Sequence, residues 1–131
     1  MPSRPQLYAV PRSLRIIVAD DEPDDVAMLK VLLNDEGHDV LPLYRGRDVM
    51  AQIHDFDPDA VVLDIAIPDR SGYELAKEIR ERYGQIRPLL IAVTGRYKQS
   101  SDRMLGQIVG FDHYLLKPYD PKELLALLRF C

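Results

Sequence analysis

Apolar residues along this chain alternate between two patterns. Short, nearly continuous apolar runs of strand length occur at Leu14 to Ala19 (LRIIVA), His38 to Tyr44, Ala60 to Pro68 (AVVLDIAIP), Leu89 to Val93 (LLIAV) and Tyr114 to Leu116. Between them the spacing changes to that of one helix face. Pro23 to Asn34 carries Val26, Leu29, Leu32 and Leu33; about Gly46 to His54 carries Val49 and Ile53. A turn, Pro68-Asp69-Arg70-Ser71-Gly72, opens a helix through Tyr83 with Leu75 and Ile79 on one side, and a shorter helix is expected from about Ser101 to Val109. Asp120-Pro121-Lys122-Glu123 reads as a capping box with proline at the first helical position, opening a final leucine-rich helix. Glycines stop several of these segments, Gly37, Gly84 and Gly110 among them.

Five strand and helix pairs in strict alternation predict a parallel sheet covered on both faces, and continuously apolar strands agree with burial on both sides. Pro42 cannot donate to a central ladder, so the second strand belongs at an edge. With right-handed crossovers, the expected fold is a doubly wound (βα)5 domain of strand order 2-1-3-4-5. That order makes the first and third strands neighbours at the point where the winding reverses.

Four of the strands deliver a polar group at the C-terminal end: Asp20 and Asp21, Asp64, Thr94 and Lys117. In an open parallel sheet these ends lie along one edge, in the crevice where such folds bind ligands. Each residue also has a plainer reading. Acids ahead of a helix serve as caps, a threonine before Gly95 starts a turn, and a strand-end aspartate or lysine points into water. Their convergence at four strand ends of one topology is what singles them out.

Composition narrows the range of partners. With 131 residues, 47% hydrophobic and 29% charged, the chain suits one globular domain, and residues 1 to 13 read as a flexible arm. The net charge of −4 reflects the acids Asp20, Asp21, Glu22, Asp24 and Asp25, and no basic stripe opposes them, so nucleic acid is not an expected direct partner. The one cysteine, Cys131, supports neither an internal disulfide nor a cysteine metal site, which fits a reducing compartment. No apolar stretch reaches the roughly 20 residues of a bilayer span. The arm lacks the apolar centre of a secretory signal, and a cytoplasmic location is expected.

Three clustered carboxylates require a cation. Oxygen ligands without cysteine or histidine favour Mg²⁺. A carboxylate beside such an ion is a suitable nucleophile toward phosphorus, and a lysine and a hydroxyl are the groups expected to hold the transferred oxygens. Lys117 and Thr94 supply them.

The ordered motifs IIVADDEP, VVLDIAIPDRSG, IAVTG and YLLKP, spanning about Leu14 to Leu128, resemble the receiver domain of bacterial two-component response regulators, a flavodoxin-like fold. The resemblance implies that Asp64 is the phosphoacceptor, loaded from a phosphohistidine of a histidine kinase or phosphotransfer protein. It implies that Asp21 binds Mg²⁺ directly with Asp20 in support, that the Ala66 backbone carbonyl completes the protein ligands, and that Thr94 and Lys117 grip the phosphoryl oxygens. It also implies a cis Lys117-Pro118 peptide and a switch pairing Thr94 with Tyr114. Ala66 and Arg96 would flank the path of attacking water, which predicts slow spontaneous dephosphorylation. The chain would then catalyse only its own phosphorylation and dephosphorylation, and would signal through a downstream protein or a phosphorylation-dependent homodimer, either free-standing or as part of a hybrid sensor kinase. A Mg²⁺-dependent phosphohydrolase and a non-phosphorylated pseudo-receiver are the competing readings.

Overall fold

A computed structural model of the chain describes residues 13–95 and 109–131. Five parallel strands, β1 (Arg15–Ala19), β2 (Asp39–Leu43), β3 (Ala60–Asp64), β4 (Leu89–Thr94) and β5 (His113–Leu116), form one sheet in the order β2-β1-β3-β4-β5. The helices among the described residues are α1 (Pro23–Asp35), α2 (Val49–Phe56), α3 (Gly72–Tyr83) and α4 (Pro121–Leu128). The expected helix at Ser101 to Val109, the residues before Ser13 and Arg96 all lie outside the described set but for Val109.

Alternation along each strand splits the core into two layers. Ile16 and Val18 of β1, Ala60 and Val62 of β3 and Leu115 of β5 face Val26 and Leu33 of α1 and Leu124 and Leu128 of α4. Ile17, Val61, Leu63, Leu90 and Ala92 face Val49 and Ile53 of α2 and Leu75 and Ile79 of α3. Both layers are built of buried apolar side chains, and β3 is buried along its whole length because it is central and covered twice. Pro42 stands on the edge strand, opposite Val18, as its missing donor requires.

Two segments differ from the pattern in the sequence. The apolar run at Ala60 continues to Ile67, yet the strand ends at Asp64. Ile65 and Ile67 remain buried, but in the turn that follows, where Ile65 N–H still donates to Val93 O at 3.0 Å and Gly72 N–H returns to Ile65 O at 3.1 Å. The expected helix from Gly46 is a 3-10 turn, Gly46–Asp48, leading into α2. Its first two N–H groups donate to the Asp69 carboxylate, Gly46 at 2.8 Å and Arg47 at 2.9 Å, which holds that loop against the turn after β3. At the other end of the chain, α4 opens on the expected box: the Asp120 carboxylate accepts from Lys122 N–H and the Glu123 carboxylate from Asp120 N–H.

Candidate functional site

The strand order brings the C-terminal ends of β1 and β3 side by side, and the polar residues follow. Asp64 is the last residue of β3; Asp20 comes directly after β1. Both are buried, while Asp21 is exposed. One carboxylate oxygen from each of Asp20, Asp21 and Asp64 lies within 4.8 Å of the others. The turn after each strand fixes the carboxylates: Asp20 Oδ1 accepts from Glu22 N–H at 3.0 Å and Asp64 Oδ1 from Ala66 N–H at 2.8 Å. Each acid keeps its second oxygen for the crevice.

Lys117 lies just beyond β5, across the sheet from β1, and its side chain spans the gap. Its ammonium meets Asp20 Oδ2 at 2.7 Å, Asp25 Oδ2 at 3.2 Å and Asp64 Oδ2 at 3.4 Å. Alternation places Asp64 in line with Val62, and Lys117 in line with Leu115, on the layer covered by α1 and α4. That is why a residue on the first turn of α1 joins them. The Lys117-Pro118 peptide is cis, and so is Arg87-Pro88.

Electrostatics follow from this crowding. Burial raises the Asp64 pKa; the hydrogen bond from Ala66 opposes the shift, Asp20 adds to it and Lys117 counters it. For Lys117 burial works against charge, but the hydrogen bond and charge of Asp20, with Asp64 and Asp25 behind it, outweigh burial and hold the ammonium well above the ordinary lysine range. The phenol of Tyr119, desolvated beside these groups, is pushed up to about 12. Among the described residues, the site at neutral pH therefore holds the Lys117 ammonium firmly between Asp20, Asp25 and Asp64, with Asp21 beside them.

Thr94 ends β4 and is buried on the opposite layer, the one that holds Ala92. Tyr114, paired with Ala92 on β5, packs half-buried against that same layer. Its ring centroid is 5.9 Å from that of Phe111, and its hydroxyl is 3.5 Å from that of Tyr73 on the first turn of α3. Thr94 and Tyr114 thus share a face, with Tyr73 as a third member.

A groove of about 960 Å³ opens over the acids. Its polar end holds Asp20, Asp21, Asp64, Thr94 and Lys117, and its apolar end runs along Met28, Leu29 and Leu32 of α1 to Pro118 and Tyr119. Two contributors carried no clear signal in the sequence. Asp25 reads there as a helix-dipole acid, and Asp69 as a turn residue. Each acts through a tertiary contact that no local pattern marks.

The donor set suits a hard divalent cation: carboxylate oxygens, no sulfur, no imidazole, and one acid exposed enough to keep waters on the ion. Ala66, whose backbone carbonyl lies in the turn beside Asp64, is exposed between the buried Ile65 and Ile67.

Family comparison agrees with the fold. Residues 16–129 match the model of the response regulator receiver domain, so the chain belongs to that family, whose members take part in two-component signalling through phosphorylation of an aspartate. Among solved structures, it is similar to the BeF3-activated N-terminal receiver domain of Klebsiella pneumoniae RstA, with a TM-score of 0.79 and 27% identity over 88% of this chain and 95% of that one. It is also similar to a CheY-like receiver domain protein of Methanospirillum hungatei, with a TM-score of 0.82 and 26% identity over 90% of this chain and 92% of that one. Vibrio cholerae CheY4 shares the fold, with a TM-score of 0.82 and 24% identity over 92% of this chain and all of that one (100%). Among the described residues no helix is long and apolar enough to cross a membrane.

Proposed function

We propose that Asp64 is the phosphoacceptor of this receiver domain and that it takes its phosphoryl group from a phosphohistidine in a Mg²⁺-dependent reaction. The observation that carries this reading is the meeting of Asp20, Asp21 and Asp64 at two neighbouring strand ends with Lys117 bound to two of them. When bound, Mg²⁺ neutralises the acids and the oxygens of the incoming group. Asp21 and Asp64, with the Ala66 carbonyl, are the residues that would hold it, and Asp20 supports them.

Asp64 presents Oδ2 to phosphorus while Ala66 N–H fixes Oδ1, so one oxygen is oriented and the other reacts. As the P–N bond to the histidine breaks and the P–O bond to Asp64 forms, the imidazole leaves with the electron pair and takes a proton. Lys117 and Thr94 bind the equatorial oxygens, where the charge of the transition state lies. The apolar end of the groove, where Met28 is 66% exposed beside Leu29 and Leu32, supplies a docking face for the helix that carries the histidine. Once Asp64 is phosphorylated, Thr94 turns to the new anion and Tyr114 follows behind it, changing its contact with Tyr73 and thereby the surface around β5. Ala66 offers no side chain to position water, and Arg96 shields the phosphoryl group, so the phosphorylated state is long-lived.

The test is labelling. A small-molecule phosphodonor such as acetyl phosphate, with Mg²⁺, should add one phosphoryl group to the protein, and Asp64→Asn should add none. Turnover of a generic phosphate ester would favour the hydrolase instead. Replacing Arg96 with alanine should speed loss of the label; an unchanged rate would remove shielding from the account.

A further inference from the structure

The ammonium of Lys117 is shared in a way the phosphoacceptor reading does not require. Two of its partners, Asp20 and Asp64, belong to the cluster of oxygens that would hold a divalent cation. The third, Asp25, does not. It projects from the first turn of α1, 3.2 Å from Nζ, with its carboxylate 44% exposed and Lys117 23% exposed. A cation held by the cluster would draw on two carboxylates that now hold the ammonium, and two positive charges would compete for the same acids. An acid that touches Lys117 but lies outside the cluster gives the displaced ammonium somewhere to remain.

We infer that Asp25 is the positioning residue for Lys117: it anchors the ammonium at the edge of the site when the metal oxygens of Asp20 and Asp64 are engaged, so that the lysine stays within reach of the incoming phosphoryl group. The inference rests on the reading of Asp20, Asp21 and Asp64 as a Mg²⁺ site. Asp25 touches neither metal nor phosphorus and acts through Lys117 alone. It lowers the cost of admitting Mg²⁺ beside a lysine, because the ammonium exchanges one carboxylate for another instead of losing its counter-charge. Without Asp25 the ammonium falls back on Asp20 and Asp64 and opposes the metal.

A double-mutant cycle on Mg²⁺ affinity separates this role from simple electrostatics. Magnesium chloride is titrated into the wild type, Asp25→Asn, Lys117→Ala and the double variant, with affinity read by calorimetry. Asp25→Asn should weaken Mg²⁺ binding about fivefold when Lys117 is present and less than about twofold when it is absent, since the exposed acid then contributes only a screened charge. Equal weakening in both backgrounds overturns the inference, because it makes Asp25 merely one more negative charge near the ion. A wild type that binds no Mg²⁺ defeats the functional reading instead. In that case the resting anchor is read on metal-free protein from the nitrogen-15 resonance of the Lys117 ammonium. That resonance should move in Asp25→Asn, and an unmoved signal refutes the contact.

Discussion

Replacing Gly72 by alanine tests how tightly the turn after Asp64 is packed. A Cβ at Gly72 would meet Ile65 Cα at 2.7 Å, Ile65 O at 3.3 Å and Ile65 C at 3.4 Å. All three are backbone atoms of the residue that follows Asp64, so no side chain can rotate away. Carbon atoms in contact prefer about 3.5–4.0 Å, so the start of α3 has to move by roughly 0.8 Å or more. That movement stretches the Gly72 N–H to Ile65 O hydrogen bond, now 3.1 Å. Overpacking of this kind costs about 1–3 kcal/mol. A clash at 2.7 Å with backbone belongs to the upper half of that range, about 2–3 kcal/mol, and alanine recovers about 0.4–1 kcal/mol by restricting the unfolded chain, which leaves a net loss of about 1–2.6 kcal/mol. For a domain of this size the thermal midpoint should fall by about 3–10 °C. Urea denaturation followed by circular dichroism gives the free energy, with Gly95→Ala as control. Among the described residues a Cβ at Gly95 has its nearest neighbour, Lys117 Cδ, at 3.9 Å, an ordinary contact that predicts a change within about 0.5 kcal/mol. Because the displaced atoms adjoin Asp64, labelling of Asp64 should slow as well. A Gly72→Ala protein as stable as the wild type would show that the turn yields freely, and the rigid placement of Asp64 would lose its support.

Other outcomes follow from the same contacts. Arg80 is buried and donates to Gly110 O, Pro88 O and the Asp112 carboxylate at 2.9, 2.8 and 2.7 Å, so Arg80→Ala should cost about 3–5 kcal/mol in urea denaturation, chiefly by leaving the two carbonyls without the guanidinium and the Asp112 carboxylate without its counter-charge, with only the Leu90 N–H among the described residues still donating to it. His38 accepts the Leu14 N–H at Nδ1, and burial lowers its pKa below the usual 6.5. The unfolded chain therefore binds the extra proton first: the His38 contribution to stability is complete above pH 6.5 and is lost as pH falls through the lower folded value. Replacing His38 with asparagine should flatten that part of the stability profile, and an unchanged slope would assign it elsewhere. Mg²⁺ at a hundredfold the wild-type dissociation constant should raise stability by about 2.7 kcal/mol in the wild type, and the gain at that same concentration should shrink in Asp21→Ala.

Much of the fold could be read from the chain because its signals are local and repeat. Five apolar runs alternating with helical spacing specify a doubly wound sheet, and Pro42 alone placed β2 at an edge, where it stands. The positions of Asp20, Asp64, Thr94 and Lys117 at strand ends follow from the same pattern, since a strand that leaves the core ends where its first polar residue can meet water or a partner. The remainder depends on contacts between distant segments. The start of the helix expected at Gly46 is a 3-10 turn whose first two N–H groups donate to Asp69, a residue more than twenty positions away in sequence. The buried Arg80 fork joins α3 to the approaches of β4 and β5, and a lone arginine on a helix carries no sign of such partners. Asp25 reached Lys117 from ninety-two positions away in sequence. Periodicity locates faces and ends; it does not say which charges will meet across them.

The central claim is that Asp64 is the residue phosphorylated, and site mapping of the labelled protein tests it most directly. After incubation with acetyl phosphate and Mg²⁺, the intact mass should rise by one phosphoryl group, and borohydride reduction followed by peptide sequencing should place the modification at Asp64. Labelling that persists in Asp64→Asn, or that maps to Asp20 or Asp21, would contradict the account.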